Sequence, residues 1–223
     1  MSRGLGDMRM GQMGAGRMSA GWVGAAMLLL AVRAEAAIVS GWNLNGIDPT
    51  QNTVVDATAG SGSLDFSGLG ATASVLQGTT LGALKGELAG ESLVAVGTLA
   101  NQTSFRFDFD RTGFEGLALS FATRRSATGA SMNRVECWTG LAWETVLAFS
   151  SNATTWELVS VKLSALDASD GGYASIRFVI DGATSSSGSL RFDNILVTGS
   201  AVPAPGALAL VGLAGACARR RRG

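Results

Sequence analysis

Ser104-Phe105-Arg106-Phe107-Asp108-Phe109-Asp110 decides the fold. Three phenylalanines alternate with charged residues. A period of two sends every apolar side chain to one face of an extended strand and every charge to the other. After the turn at Thr112-Gly113, Leu117-Ala118-Leu119-Ser120-Phe121-Ala122 continues the pattern. Outward from this pair, strands are expected at 38–44, 133–138, 143–149, 156–163, 174–180 and 190–198, with shorter ones at 63–66, 72–76 and 93–96. Clusters of turn-forming residues punctuate them: Asp170-Gly171-Gly172, Asp181-Gly182 and Ser185-Ser186-Ser187-Gly188. One helical turn is expected at 164–168, and no internal repeat is visible. Many short strands at regular spacing mean an all-β fold, a single jelly-roll-like β-sandwich.

Composition agrees and removes several chemistries. The 223 residues are 47% hydrophobic and 15% charged, too apolar for a disordered chain. There is no histidine, so Ser-His-Asp triads, histidine general bases and histidine metal ligands are excluded. Two cysteines, Cys137 and Cys217, cannot make a four-cysteine zinc site, and a disulfide framework is not expected. Neither a Gly-x-Ser-x-Gly elbow nor a P-loop occurs.

The two ends read as addresses. Residues 1–36 have the build of an export signal. Arg3, Arg9 and Arg17 stand against one acid, Asp7, and an apolar run extends from about Ala20 to Val32. Ala34-Glu35-Ala36 then presents the small-x-small pattern that a signal peptidase accepts, so cleavage is expected between Ala36 and Ala37. The alternative is an uncleaved anchor, for which the run is short. At the other end Val202-Pro203-Ala204-Pro205 forms a hinge, a 13-residue apolar run from Gly206 to Ala218 forms a short transmembrane helix, and Arg219, Arg220, Arg221 and Arg222 close the chain. Prolines end the last strand. The Arg block cannot cross the bilayer and stays cytoplasmic.

This tail, 202–223, resembles the PEP-CTERM sorting signal of exosortase-bearing bacteria, with Ala204 where that pattern usually has Glu. The resemblance implies an exosortase-type protease as a maturation partner, cutting near the hinge. It also implies a precursor held in the membrane by its tail, then release to the cell surface or the extracellular space. An ordinary tail anchor is the alternative.

Between the ends, 37–201 holds nine Lys and Arg against fifteen Asp and Glu, a net charge of −6. A domain so acidic is not built for nucleic acid. Trp42-Asn43-Leu44-Asn45, Ser126-Ala127-Thr128-Gly129 and Arg191-Phe192-Asp193-Asn194-Ile195-Leu196-Val197 together resemble the jelly-roll domains that precede PEP-CTERM tails. Those are similar in build to carbohydrate-binding modules. The resemblance implies that the first and last strands pair, bringing Trp42 and Asp193 to one end or edge. Because such domains often carry a structural calcium, it also implies Asp193 as a calcium ligand. Asp193 capping a turn or pairing with a base is the competing reading, and no other cofactor is expected.

Asp108-x-Asp110-x-Thr112-Gly113 opens like a calcium loop, but Leu119 stands where an EF-hand needs a bidentate Glu. A strand with outward acids is expected there instead. Cys137 falls in phase with Val135, on the inward face, as a buried thiol. Trp138 and Trp143 flank the turn Thr139-Gly140-Leu141-Ala142. They are candidates for a sugar-stacking platform, although the burial habit of Trp favours covers over the ends of the core. The function expected from all this is that of an exported, noncatalytic protein of the cell surface or extracellular matrix. The alternative is a carbohydrate-binding module for extracellular polysaccharide, and a more distant one a secreted hydrolase using paired carboxylates.

Overall fold

The computed structural model describes residues 36–166 and 172–202. The expected export signal through Glu35, Asp170 and Gly171 of an expected turn, and the tail from Pro203 to the terminal arginines lie outside the described residues. In chain order the strands are β1 (Ala36–Trp42), β2 (Val54–Asp56), β3 (Ala59–Gly60), β4 (Ser63–Asp65), β5 (Ala73–Gln77), β6 (Glu91–Val96), β7 (Thr103–Asp110), β8 (Phe114–Arg125), β9 (Asn133–Trp138), β10 (Trp143–Phe149), β11 (Glu157–Lys162), β12 (Tyr173–Ile180) and β13 (Ser189–Ala201). Short 3-10 turns occur at Ser67–Thr72, Thr98–Ala100 and Ser164–Leu166. The last falls where one helical turn is expected.

Two antiparallel sheets form a β-sandwich with jelly-roll character. The first runs β11-β8-β13-β1-β3, with β6 also paired to β13 and β5 to β6. The second runs β10-β9-β12-β7-β4-β2. Phe105, Phe107 and Phe109 face inward and are fully buried, while Arg106, Asp108 and Asp110 point away from the core, as the alternation dictates. Between the sheets the rings interlock. Phe105 stacks on Phe178 at 4.9 Å within the second sheet, and Phe178 meets Phe121 and Phe192 of the first edge-on at 4.8 and 5.1 Å. Offset and edge-on contacts of this kind add about 0.5–1.5 kcal/mol each beyond area burial.

The first and last strands do pair, Trp42 opposite Ile195. They do so in the interior of the first sheet rather than at an edge. Trp42 is buried and packs on Phe107 at 5.0 Å. The long strand β13 changes partner along its length: Ser189 to Phe192 face β6, and Ile195 to Ser200 face β1. The change falls at Asp193 and Asn194, where the register against β8 slips and Asn194 takes φ +48°. The β5–β6 connection, 78–90, lies over this notch. Small strands β2 and β3 have too few residues to show a period and are not apparent from the sequence.

Candidate functional site

The outward face of the second sheet carries a set of neighbouring aromatic and charged side chains. Cys137 and Val135 point inward and are fully buried. Burial pushes the Cys137 thiol up to about 12, so it is inert at neutral pH. The alternation therefore sends Arg134, Glu136 and Trp138 outward. The hairpin after β9 is closed by Thr139 N donating to the Ala142 carbonyl at 3.0 Å. Gly140 supplies the φ of +93° that the turn requires. This turn sets Trp143 directly opposite Trp138, with ring centres 5.6 Å apart and planes tilted by 56°. Trp138 is 38% exposed and Trp143 is half-buried. The favoured sequence reading, covers over the core ends, is thus corrected: both rings stand on the outside of the sheet. The reason is register. Both residues are in phase with Glu136 and out of phase with Cys137.

A ladder of polar residues continues across the sheet. Thr145, Glu136, Arg177, Arg106 and Asp65 are successive register partners on β10, β9, β12, β7 and β4. Arg177 places its guanidinium carbon 4.4 Å from the Trp143 ring centre. It also donates from Nε and Nη2 to Glu136 Oε2, each at 2.7 Å, while Arg134 Nε donates to Oε1 at 3.1 Å. Burial would raise the Glu136 carboxyl, but the hydrogen bonds from Arg177 and Arg134 outweigh it and hold the group below the ordinary carboxylate range. Arg106 Nε donates to Asp108 at 2.8 Å, and the Ser175 hydroxyl donates to the other Asp108 oxygen. Asp65, Ser67, Ser104, Arg106, Trp143 and Arg177 line a groove of about 240 Å³. Tyr173, 80% exposed, stands on the same face four positions along β12 from Arg177.

Asp108 and Asp110 are strand residues with outward carboxylates, as expected. Asp110 Oδ1 accepts from Thr112 N at 2.8 Å, closing the turn.

Asp193 is far from this face, on the outside of the first sheet, and is fully buried beneath the 78–90 connection. Its Oδ2 accepts from Thr79 N at 2.6 Å and its Oδ1 from Asn194 N at 2.8 Å. The Asn194 amide donates to the carbonyls of Thr79 and Leu81 at 2.6 and 3.0 Å. A Cβ on Gly78 would come within 2.3 Å of Asp193 Oδ2, so only glycine admits the approach. Calcium takes six to eight oxygens. Here both carboxylate oxygens meet N–H donors, and the nearby loop carbonyls are taken by an NH₂ group. Among the described residues no three Cys, Asp or Glu side chains are grouped so that they could hold a metal ion. This donor set does not fit a calcium ion; it fits a carboxyl group that ties a loop to a strand. Burial pushes Asp193 up to about 7 against the lowering effect of its two amide bonds.

Ala36 and Ala37, the expected cleavage pair, are the first residues of β1, opposite Ser200 and Gly199. Val202 N donates to the Gly113 carbonyl at 2.8 Å. Ala34, Pro203, Ala204, Pro205 and Arg219 to Arg222 lie outside the described residues. Among the described residues no helix is long and apolar enough to cross a membrane.

No family model and no curated protein matches the chain. Solved structures similar to it include the xylan-binding CBM22-1 domain of Paenibacillus barcinonensis Xyn10C, at 10% identity and a TM-score of 0.44, covering 76% of this chain and 97% of that one. A family 29 carbohydrate-binding module complexed with mannohexaose is similar at 11% identity and 0.42, covering 75% and 93%. The K2 cleaved adhesin domain of Lys-gingipain is similar at 12% and 0.41, covering 73% and 98%.

Proposed function

We propose that this protein is a noncatalytic, exported glycan-binding domain, and that it takes extracellular polysaccharide along the outward face of its second sheet. The observation that carries the reading is the Trp138–Trp143 pair with Arg177 over Trp143. A sugar ring presents C–H groups on its faces and hydroxyls around its edge. Exposed indole rings stack on the first, and fixed guanidinium and carboxylate groups hydrogen-bond the second. The ion pairs behind the rings hold those groups in place before a ligand arrives, which lowers the ordering cost of binding.

Hydrolysis is the weaker reading. A glycosidase needs one carboxyl raised to act as acid beside a second that stays ionised. Asp65, in the groove, is instead held low by its bond to Ser67, and Glu136, behind it, by its arginines. The one carboxyl raised among the described residues is Asp193, sealed under a loop on the opposite side.

Export and sorting belong to the same proposal. The charge pattern of 1–36 and the tripartite tail support signal-peptidase cleavage between Ala36 and Ala37, membrane retention through the tail, and processing by an exosortase-type protease. The test of the binding reading is a polysaccharide array probed with the full chain and with Trp143→Ala. Loss of signal in the variant is expected, and a parent that binds no glycan overturns the reading.

A further inference from the structure

The outward face of the first sheet holds a different arrangement. Arg191 of β13 and Arg124 of β8 are direct register partners in antiparallel strands. Their alternation with Phe192 and Phe121, both inward, sends both guanidinium groups out on the same side. Like charges placed directly opposite one another across a ladder are destabilising. Among the described residues no ion pair offsets them. The ion pairs among the described residues use Arg106, Arg134 and Arg177, and no side-chain hydrogen bond is made by Arg124 or Arg191. Arg124 Nε is buried without an acceptor. Burial, and the Arg124 charge beside it, push the Arg191 guanidinium down.

The neighbouring acids are already committed. Asp193, two positions along from Arg191, gives its oxygens to the amides of Thr79 and Asn194. Glu157 is held by Asn152 through N at 2.8 Å and Nδ2 at 2.7 Å. Arg125 donates to the backbone carbonyls of Ser151, Ser126 and Ala127 and brings no acid with it. Trp156, half-buried just before β11, closes one side, with the Arg124 guanidinium carbon 6.0 Å from its ring centre. The pair is therefore two adjacent guanidinium forks, partly desolvated, with free donors and an aromatic wall.

We propose that Arg124 and Arg191 form an oxyanion site, independent of the aromatic face on the second sheet, whose ligand carries a carboxylate, sulfate or phosphate group. Guanidinium forks match such groups with paired charge-assisted hydrogen bonds. An anion between the two forks would turn their mutual repulsion into two attractions. The group can come from an acidic sugar unit of a polysaccharide or from a free inorganic ion.

The experiment is calorimetric and thermal titration of the full chain with inorganic phosphate, with oligogalacturonate and with a neutral hexasaccharide, at constant ionic strength. The parent is expected to bind at least one of the two anionic probes saturably. Arg124→Gln and Arg191→Gln should each weaken that binding by about tenfold or more. Each should melt no lower than the parent in chloride buffer, because repulsion is relieved. Lys162→Gln, at the end of β11 away from Arg124, should leave the binding unchanged. Tighter binding of oligogalacturonate than of phosphate assigns the site to an acidic glycan, and equal binding assigns it to the free ion. Absence of saturable binding of both anions overturns the site, as does parental affinity in both Arg124→Gln and Arg191→Gln. Binding of the neutral hexasaccharide reports on the aromatic face alone, so the two proposals fail separately. Should one of the two variants fail to fold, the other variant and the parent's titration still decide.

Discussion

Arg177 touches two partners at once: its guanidinium carbon lies 4.4 Å from the Trp143 ring centre, and its Nη2 lies 2.7 Å from Glu136 Oε2. Glu136 is 6% exposed, so the charge that fixes Arg177 sits behind the groove while the ring that Arg177 faces is on its wall. The placement of Arg177 over Trp143 thus depends on a carboxylate that a ligand would not touch.

Glu136→Gln should for that reason weaken glycan binding while leaving the rings in place. Removing the charge frees Arg177 and Arg134, whose side chains are 32% and 37% exposed. Solvent screens such groups, so the loss of folding stability should be small, on the order of 1 kcal/mol or less. Denaturant melts and glycan titration of the same variant check both halves. A large loss of stability with full binding would contradict them.

Phe178→Ala should cost about 3–5 kcal/mol, because the ring meets Phe105, Phe107, Phe121 and Phe192 across both sheets and its removal leaves a cavity. Chemical denaturation is the measurement. A cost below about 1 kcal/mol would mean that the interlock between the sheets does not carry the core.

The pH dependence has a definite sign. Asp193 titrates at about 7 in the folded chain against 3.8 for the free group. The folded state therefore holds this proton more tightly, and stability falls as pH rises from about 4 to about 7, then levels off. Glu136, held low, acts in the other direction: its contribution is present above its ordinary range near 4.5 and is lost only in stronger acid. Between pH 5 and 7 the Asp193 slope should dominate, and Asp193→Asn should flatten it. The slope rather than the absolute melting temperature is the readout. An identical slope in parent and variant would contradict the assignment.

Calcium should not change the melting temperature, since both Asp193 oxygens already accept from backbone amides. Melts with calcium and with a chelator test this. A rise of several degrees with calcium would return Asp193 to the role of a metal ligand.

How far the sequence leads is clear from particular residues. The alternation through Phe105, Phe107 and Phe109 yields the strand, the core and the outward charges at once, because a period of two is a local property. The 133–138 strand is read with its observed bounds, and Trp138 and Trp143 are paired through their turn. The groove is not legible, because Arg106, Arg177 and Asp65 lie far apart in sequence and meet only through β7, β12 and β4. Asp193 attracts attention in the sequence, but its work as a loop tie depends on β13 changing partner beside it, which no local pattern announces. The Arg124–Arg191 pair is hidden for the same reason: 67 positions separate residues that the register of β8 and β13 places side by side.

Glycan titration of the full chain beside Trp138→Ala and Trp143→Ala tests the central claim most directly. The parent is expected to bind a neutral polysaccharide, with each variant at least about tenfold weaker and equally well folded. A parent that binds no polysaccharide, or variants that bind as the parent does, would contradict the account.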